Sequence, residues 1–143
     1  MIAVDTNILV YARRAEMPFH NAARDLLRQL SEGETAWAVP WPCLYEYVRV
    51  VTHPRVFDPP TTLEAALSDV EHLLSSPAIV VIGEGPGHFA AMRQALVSSG
   101  ATANLVHDAH IAALSIEHGV RELWTADRDF SRFPGLRVRH PFA

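Results

Sequence analysis

Short apolar runs alternate along the chain with longer stretches in which apolar residues recur every three or four positions. The runs Ile2-Ala3-Val4, Thr35 to Val39 (closed by Pro40), Ile79 to Ile82, Leu123-Trp124-Thr125 and Leu136 to Val138 predict strands. Ile79 to Ile82 consists of consecutive β-branched residues and carries the clearest signature of a parallel, buried strand. Helices fill the intervals. Ile8, Leu9 and Tyr11 predict a short one, and Ala22, Leu26, Leu27 and Leu30 a second, with Pro18 in its first turn and Gly33 as its stop. Leu44 to Val51 follows between Pro42 and Pro54, and Thr61 or Thr62 caps a helix to about Leu74 with Glu64 in its first turn. Glycines at 83, 85 and 87 form a connection, Phe89 to Val97 a helix ending near Gly100, and Asn104 to His118 another stopped by Gly119. Strands without alternation, separated by helices, predict an α/β domain over residues 1–143, its mostly parallel sheet covered on both faces.

Composition narrows the chemistry. The 143 residues include 12 basic and 16 acidic side chains, a formal net charge of −4, and every basic residue is arginine. With 49% hydrophobic and 20% charged residues the chain has the makeup of an ordered, folded protein. One cysteine, Cys43, rules out an internal disulfide and is read as a packed thiol. No apolar run reaches the roughly 18 residues of a membrane span. The amino terminus lacks the basic start of a signal peptide, so a cytoplasmic location is expected. The acidic excess counts against coating nucleic acid by charge alone.

Two acids stand where the strands end. In open parallel sheets ligands bind beyond the carboxyl ends of strands, near a reversal of strand order, and Asp5 and Asp127 occupy such ends. Each also has an ordinary reading: Asp5 as a helix N-cap and Asp127 as a turn residue. Asp108 falls beside Leu105, Ala109, Ala112 and Ile116 on a side expected to face the core, where a carboxylate is costly unless a cation or donor meets it. Glu46 stands in the very apolar helix after Pro42, with a pair to Arg49 or Arg13 as its plain alternative. Converging on one end of a sheet, these acids would repel and raise each other's pKa unless neutralised. A hard divalent cation with oxygen ligands does this, and its water can attack a phosphodiester.

The residues in this order resemble PIN-domain nucleases, and among them the VapC-type ribonuclease toxins of bacterial toxin–antitoxin pairs. The resemblance rests on Ile2 to Leu9 with Asp5-Thr6-Asn7, on Leu44 to Phe57 with Glu46, on Asp108 to Leu114, and on Thr125 to Leu136 with Asp127-Arg128-Asp129-Phe130. It implies a three-layer α/β/α sandwich around a parallel sheet, often dimeric. It also implies endoribonuclease cleavage dependent on Mg²⁺ or Mn²⁺, neutralised by a cognate VapB-type antitoxin. Carried over by position, Asp5, Glu46, Asp108 and Asp127 match the metal-binding catalytic acids, and Asp129 a more variable one. Asn7 and Thr125 match polar residues that orient the acids from behind.

Other readings fail on particular residues. Asp127-Arg128-Asp129 lacks the later Gly and Glu of a calcium loop. Phosphohydrolases and receiver domains that place an aspartate after the first strand rely on a lysine, and there is none. The glycines at 83, 85 and 87 lack the lysine and order of a phosphate-binding loop. A histidine-aspartate phosphohydrolase is all-helical, against the strands expected here. His107 and His110, three apart on one helix, lie within reach of one cation, but a solvated role is the plainer one. A PIN-like fold that binds RNA or a partner without cutting is the alternative from another class. Arg13, Arg14, Arg49, Arg128 and Arg132 are candidates to meet RNA phosphates, and Trp37, Trp41 and Tyr45 for an antitoxin surface. Setting Asp5, Glu46, Asp108 and Asp127 aside leaves 12 acids against 12 arginines, so the expected metal site accounts for the whole acidic surplus.

Overall fold

A computed structural model describes all 143 residues. The strands are β1 (Ile2–Val4), β2 (Trp37–Pro40), β3 (Ile79–Ile82), β4 (Glu122–Trp124) and β5 (Val138–Arg139). The helices are α1 (Thr6–Arg13), α2 (His20–Glu32), α3 (Trp41–Val51), α4 (Leu63–Leu74), α5 (His88–Ser99) and α6 (Leu105–Glu117), with a 3-10 turn at Arg128–Arg132. All strand pairs are parallel, in the order β3-β2-β1-β4-β5. The chain builds outward from β1 to β2 and β3, then returns through α5 and α6 to lay β4 on the other side of β1. That return reverses the strand order between β1 and β4, which opens a crevice at their carboxyl ends. Right-handed crossovers in opposite directions require the two helical layers to lie on opposite faces. Accordingly α1 packs on α2 and α3, and α3 on α4, while α5 packs on α6, which crosses β2.

Local chemistry explains most boundaries. Asp5 caps α1, its carboxylate accepting from the Thr6 N–H at 2.7 Å. Thr62, rather than Thr61, caps α4 by accepting from the Ala65 N–H at 3.1 Å. Gly100 and Gly119 end α5 and α6 at φ of +68° and +69°, a region closed to most side chains. The expectation at Pro18 is displaced: α2 starts at His20, and Phe19 precedes it in a left-handed conformation.

The buried core contains 29 hydrophobic residues, with Val4, Trp37, Val39, Leu114 and Leu123 fully enclosed. Every residue of β2 is buried. β3 is different from its sequence pattern: it is the edge strand, paired with β2 alone, and Val80 is 40% exposed. A continuous apolar run therefore marked a parallel strand without marking its place in the sheet. Along α6 the enclosed face is Ala109, Ile111, Ala112, Ala113 and Leu114, while Ile116 faces solvent and Asp108 lies at the rim of that face.

Leu123→Ala, on the interior strand β4 with no exposure, is expected to cost about 2–5 kcal/mol in urea unfolding. Leu63→Ala, on an exposed first turn, should stay within about 0.5 kcal/mol.

Candidate metal centre

The register of β1 and β4 sets the site. Val4 is level with Trp124, and the Asp5 N–H donates to the Trp124 carbonyl at 3.0 Å, so Asp5 and Thr125 leave the sheet side by side. The Thr125 hydroxyl donates to Asp5 Oδ2 at 2.7 Å. Thr125 Oγ1 itself accepts from Asn7 Nδ2 at 3.1 Å and from the Asp127 N–H at 3.0 Å. Asn7 completes the link by accepting from the Ala126 N–H at 3.2 Å. Asn7 and Thr125 thus link the ends of β1 and β4 behind Asp5.

Asp5 is both a helix cap and part of the acidic cluster, so its two readings describe one residue. It is buried, and the Cys43 thiol approaches its Oδ1 at 3.6 Å. Burial and the neighbouring carboxylate push that thiol's pKa up, keeping it a proton donor. Asp127 turns back to cap the 3-10 turn, its Oδ1 accepting from the Asp129 N–H at 2.9 Å. Carboxylate oxygens of Asp108, Asp127 and Asp129 lie within 4.8 Å of one another. Glu46 approaches from α3, accepting from the Thr6 hydroxyl at 3.1 Å. Thr6 is a residue of this site that the sequence did not single out. Its fixed place next to Asp5 was the available signal.

The electrostatics show an unbalanced cluster. Burial pushes the Asp5 carboxyl up to about 6, against the hydrogen bonds from Thr125 and Thr6 that favour the ion. Asp108 is also raised to about 6, first by burial and then by Asp127, Asp5, Asp129 and Glu46. Asp5, Asp108 and Asp127 have no ion-pair partner, and the nearest cations are Arg49 at 3.6 Å from Glu46 and Arg132 at 3.9 Å from Asp129. An all-carboxylate donor set with no cation among its central members fits a hard divalent ion.

A cleft of about 1040 Å³ opens over these acids, lined by Glu46, Asp108 and Asp129 together with Arg49, Trp41 and Tyr45. Its aromatic pair is stacked, with ring centroids 5.9 Å apart, and Tyr45 is exposed. Trp37, grouped with them from sequence, is instead fully buried in β2. The arginines also divide. Arg49 lines the cleft, and Arg128 and Arg132 are exposed beside Asp127 and Asp129. Arg13 and Arg14 are not brought there. Arg13 pairs with Asp69 at 3.3 Å in a separate cavity of about 590 Å³ that contains none of the four expected ligands. Arg14 pairs with Glu16 at 2.8 Å, donates to Thr61 and the Pro59 carbonyl, and covers the Phe57 ring. Both lie toward the far end of α1, away from the capped end that holds Asp5.

The PIN domain family model matches residues 2–136. The chain belongs to the PIN-domain family. VapC ribonuclease Mb2897 of Mycobacterium bovis is 40% identical over 141 residues, covering 99% of this chain and 95% of that protein. Ribonuclease VapC48 of Mycobacterium tuberculosis is 36% identical over 139 residues, covering 97% and 96% respectively. Among solved structures, VapBC2 from Rickettsia felis, bound to a promoter DNA fragment, superposes with a TM-score of 0.68 at 22% identity over 97% of this chain and 98% of that one. VapC20 of Mycobacterium tuberculosis, a Sarcin-Ricin loop cleaving toxin, gives 0.68 at 19% identity over 96% and 99%. The PIN fold of these proteins, a parallel sheet between helical layers, is the one found here.

In this PIN domain the Asp108 charge costs stability while no cation is bound. Its pKa rises from near 4 in the unfolded chain to about 6 when folded. The folded state therefore holds the extra proton between those values, and the penalty is full above pH 6 and relieved as pH falls toward 4. Half-exposure reduces the penalty to about 1 kcal/mol. Asp108→Asn should then raise the melting temperature in EDTA at pH 7.5 by about 2–4 °C. The gain should shrink in the same scan at pH 4.5.

Proposed function

We propose that this chain is a metal-dependent endoribonuclease of the VapC type, a toxin held in check by a cognate antitoxin. The observation that carries the reading is the cluster of Asp108, Asp127 and Asp129 at the reversal of strand order, with Asp5 tied to it through Thr125 and no cation among them. Relatives at 36–40% identity over nearly the whole chain are named ribonucleases, which supports the same chemistry.

Asp5, Asp108 and Asp127 would hold the ion, with Glu46 beside them and Asp129 available as a further ligand. A bound Mg²⁺ or Mn²⁺ would supply a more acidic water for in-line attack on phosphorus and would offset charge on the phosphoryl oxygens. The residues of the chain do the positioning. Thr125 and the Thr6 N–H each hold one oxygen of Asp5, and the Thr6 hydroxyl orients Glu46. Arg49, on the wall of the cleft, is placed to receive an RNA phosphate. Arg128 and Arg132 flank the other side.

The antitoxin assignment draws on the solved relative VapBC2, described as bound to promoter DNA. The exposed, stacked Trp41 and Tyr45 beside the cleft are the aromatic surface we assign to such a partner. A homodimer is part of the same proposal. No helix is long and apolar enough to cross a membrane, which accords with a cytoplasmic RNA substrate.

The test is cleavage of RNA by purified, antitoxin-free protein. Activity should vanish in EDTA and return with Mg²⁺ or Mn²⁺, and Asp5→Asn or Asp127→Asn should remove at least about 99% of it with circular dichroism unchanged. Near-normal, metal-dependent cleavage by either variant would refute the site. RNA binding without cleavage in any metal would favour the non-catalytic reading. Products should carry 5′-phosphate and 3′-hydroxyl ends; a 2′,3′-cyclic phosphate would exclude attack by water.

Arg49→Ala should raise KM and leave kcat within about twofold. Its logarithmic salt slope for RNA binding should fall by about 1.

A further inference from the structure

We propose a second metal site, selective for zinc-like ions, made by Glu84, His88 and His110 and distinct from the carboxylate centre. One nitrogen from each imidazole and one Glu84 carboxylate oxygen lie within 4.8 Å of one another. Glu84 comes from the loop after β3, His88 from the start of α5 and His110 from α6, so three segments converge on one point. Histidine His107, the neighbour suggested by helical spacing, is not part of the group.

The site is supported from behind. Glu117 accepts from the backbone N–H of Gly85 at 3.1 Å and faces His88 Nδ1 at 2.9 Å. A Cβ at Gly85 would stand 2.9 Å from the Glu117 oxygen, so a larger residue there would make that carboxylate shift. The Nδ1 side of the His88 ring thus faces a carboxylate acceptor, which leaves Nε2 for a metal. Carboxylate behind imidazole behind cation is the arrangement that fixes the ring and raises its basicity in zinc sites. His88 and Glu117 are also well enclosed, with side chains 15% and 16% exposed.

His110 Nε2 and Glu84 Oε1 are 2.6 Å apart. A Zn²⁺ ion would sit between them in place of that direct contact. Bonds of about 2.0–2.2 Å in a tetrahedral shell put ligand atoms roughly 3.3 Å apart, a spacing that small rotations of these side chains supply. The donor chemistry sets the two sites apart. Two imidazoles and one carboxylate suit Zn²⁺, Co²⁺ or Ni²⁺, whereas the oxygen-only cluster suits Mg²⁺ or Mn²⁺. Glu84 and His110 line the same cleft as Asp108 and Arg49, so an ion there adds positive charge to a wall the RNA is proposed to follow. The zinc site itself does not rest on the nuclease reading.

The experiment is Zn²⁺ titration of the full, metal-stripped chain in excess Mg²⁺, against a chromogenic chelator. One equivalent should bind, and it should still bind in Asp5→Asn/Asp108→Asn. His88→Ala and His110→Gln should each weaken it by about a hundredfold or more, and Glu117→Gln by about tenfold. On the unaltered protein, Zn²⁺ should shift the side-chain nitrogen resonances of His88 and His110 and leave those of the remaining histidines in place. The proposal fails if Zn²⁺ does not compete with the chelator. It also fails if binding disappears with the aspartates, or if other histidines shift instead.

Discussion

Where β1 and β4 end, a single threonine hydroxyl makes three hydrogen bonds, and the placement of the acidic centre depends on them. Thr125 donates to Asp5 and accepts from Asn7 and from the Asp127 N–H. A hydroxyl has one proton and two lone pairs, so this one is fully used. The consequence is geometric. Asp5 from the first strand and Asp127 from the fourth, 122 residues apart in sequence, are fixed to a common atom. Parallel register brings the strands level, and the hydroxyl ties the Asp5 carboxylate to the Asp127 backbone. A serine would keep the donor while losing the methyl that packs at this buried position. A valine would keep the shape and leave Asp5 Oδ2 without a donor, at a cost of about 1–3 kcal/mol.

The fold accepts an unfavourable charge at this point and compensates through local structure. Asp5 sits at the amino end of α1, where the helix favours a negative group, and it takes hydrogen bonds from Thr6 and Thr125. Burial still outweighs these, since the carboxyl is raised to about 6. The Cys43 thiol adds a weak donor without adding charge. No arginine enters, although the chain has 12, and a guanidinium inserted between Asp5 and Asp127 would occupy the space of a cation. Arginines stand instead at the margins, 3.6 Å from Glu46 and 3.9 Å from Asp129. Charge is thus left unsatisfied at the centre and balanced at the rim.

Much of this was legible in the sequence because it depends on local rules. An apolar run that stops at an aspartate predicts a strand end, and alternation of strand and helix predicts which ends share an edge of the sheet. Asp5 and Asp127 follow from that logic, Asp108 from the face of its helix, and Asn7 from the family resemblance alone. What failed did so where sequence proximity stood in for space. Arg13 is close to Asp5 along the chain, but α1 has 8 residues and rises about 12 Å over them, carrying Arg13 to another cavity. Trp37 looked like an aromatic surface residue and is core, because β2 is covered on both faces. The β-branched run of β3 announces a parallel strand but not its place at the edge, since strand order is set by crossovers that no local pattern encodes. His110 pairs across to α5 and its preceding loop rather than along its own helix.

Asp108 and His110 show how one helix can serve two chemistries without mixing them. Two positions along α6 correspond to a rotation of about 200°, so the residues point to different sides of the helix. Asp108 meets Asp127 and Asp129, while His110 meets Glu84 and approaches His88 with ring centroids 5.3 Å apart. Each side is completed by a different part of the chain, the end of β4 in one case and the β3–α5 connection in the other. Ala109, between them, is fully buried and directs α6 against the core. Any displacement of α6 would therefore move both groups together. The loop carrying Glu84 is bound to α6 again at His118, whose Nε2 lies 2.7 Å from the Gly83 carbonyl. A cation among Glu84, His88 and His110 would tighten that same attachment and so hold Asp108 more firmly against the acids contributed by β4. Mechanical coupling of this kind requires no shared ligand, only a helix clamped from both sides.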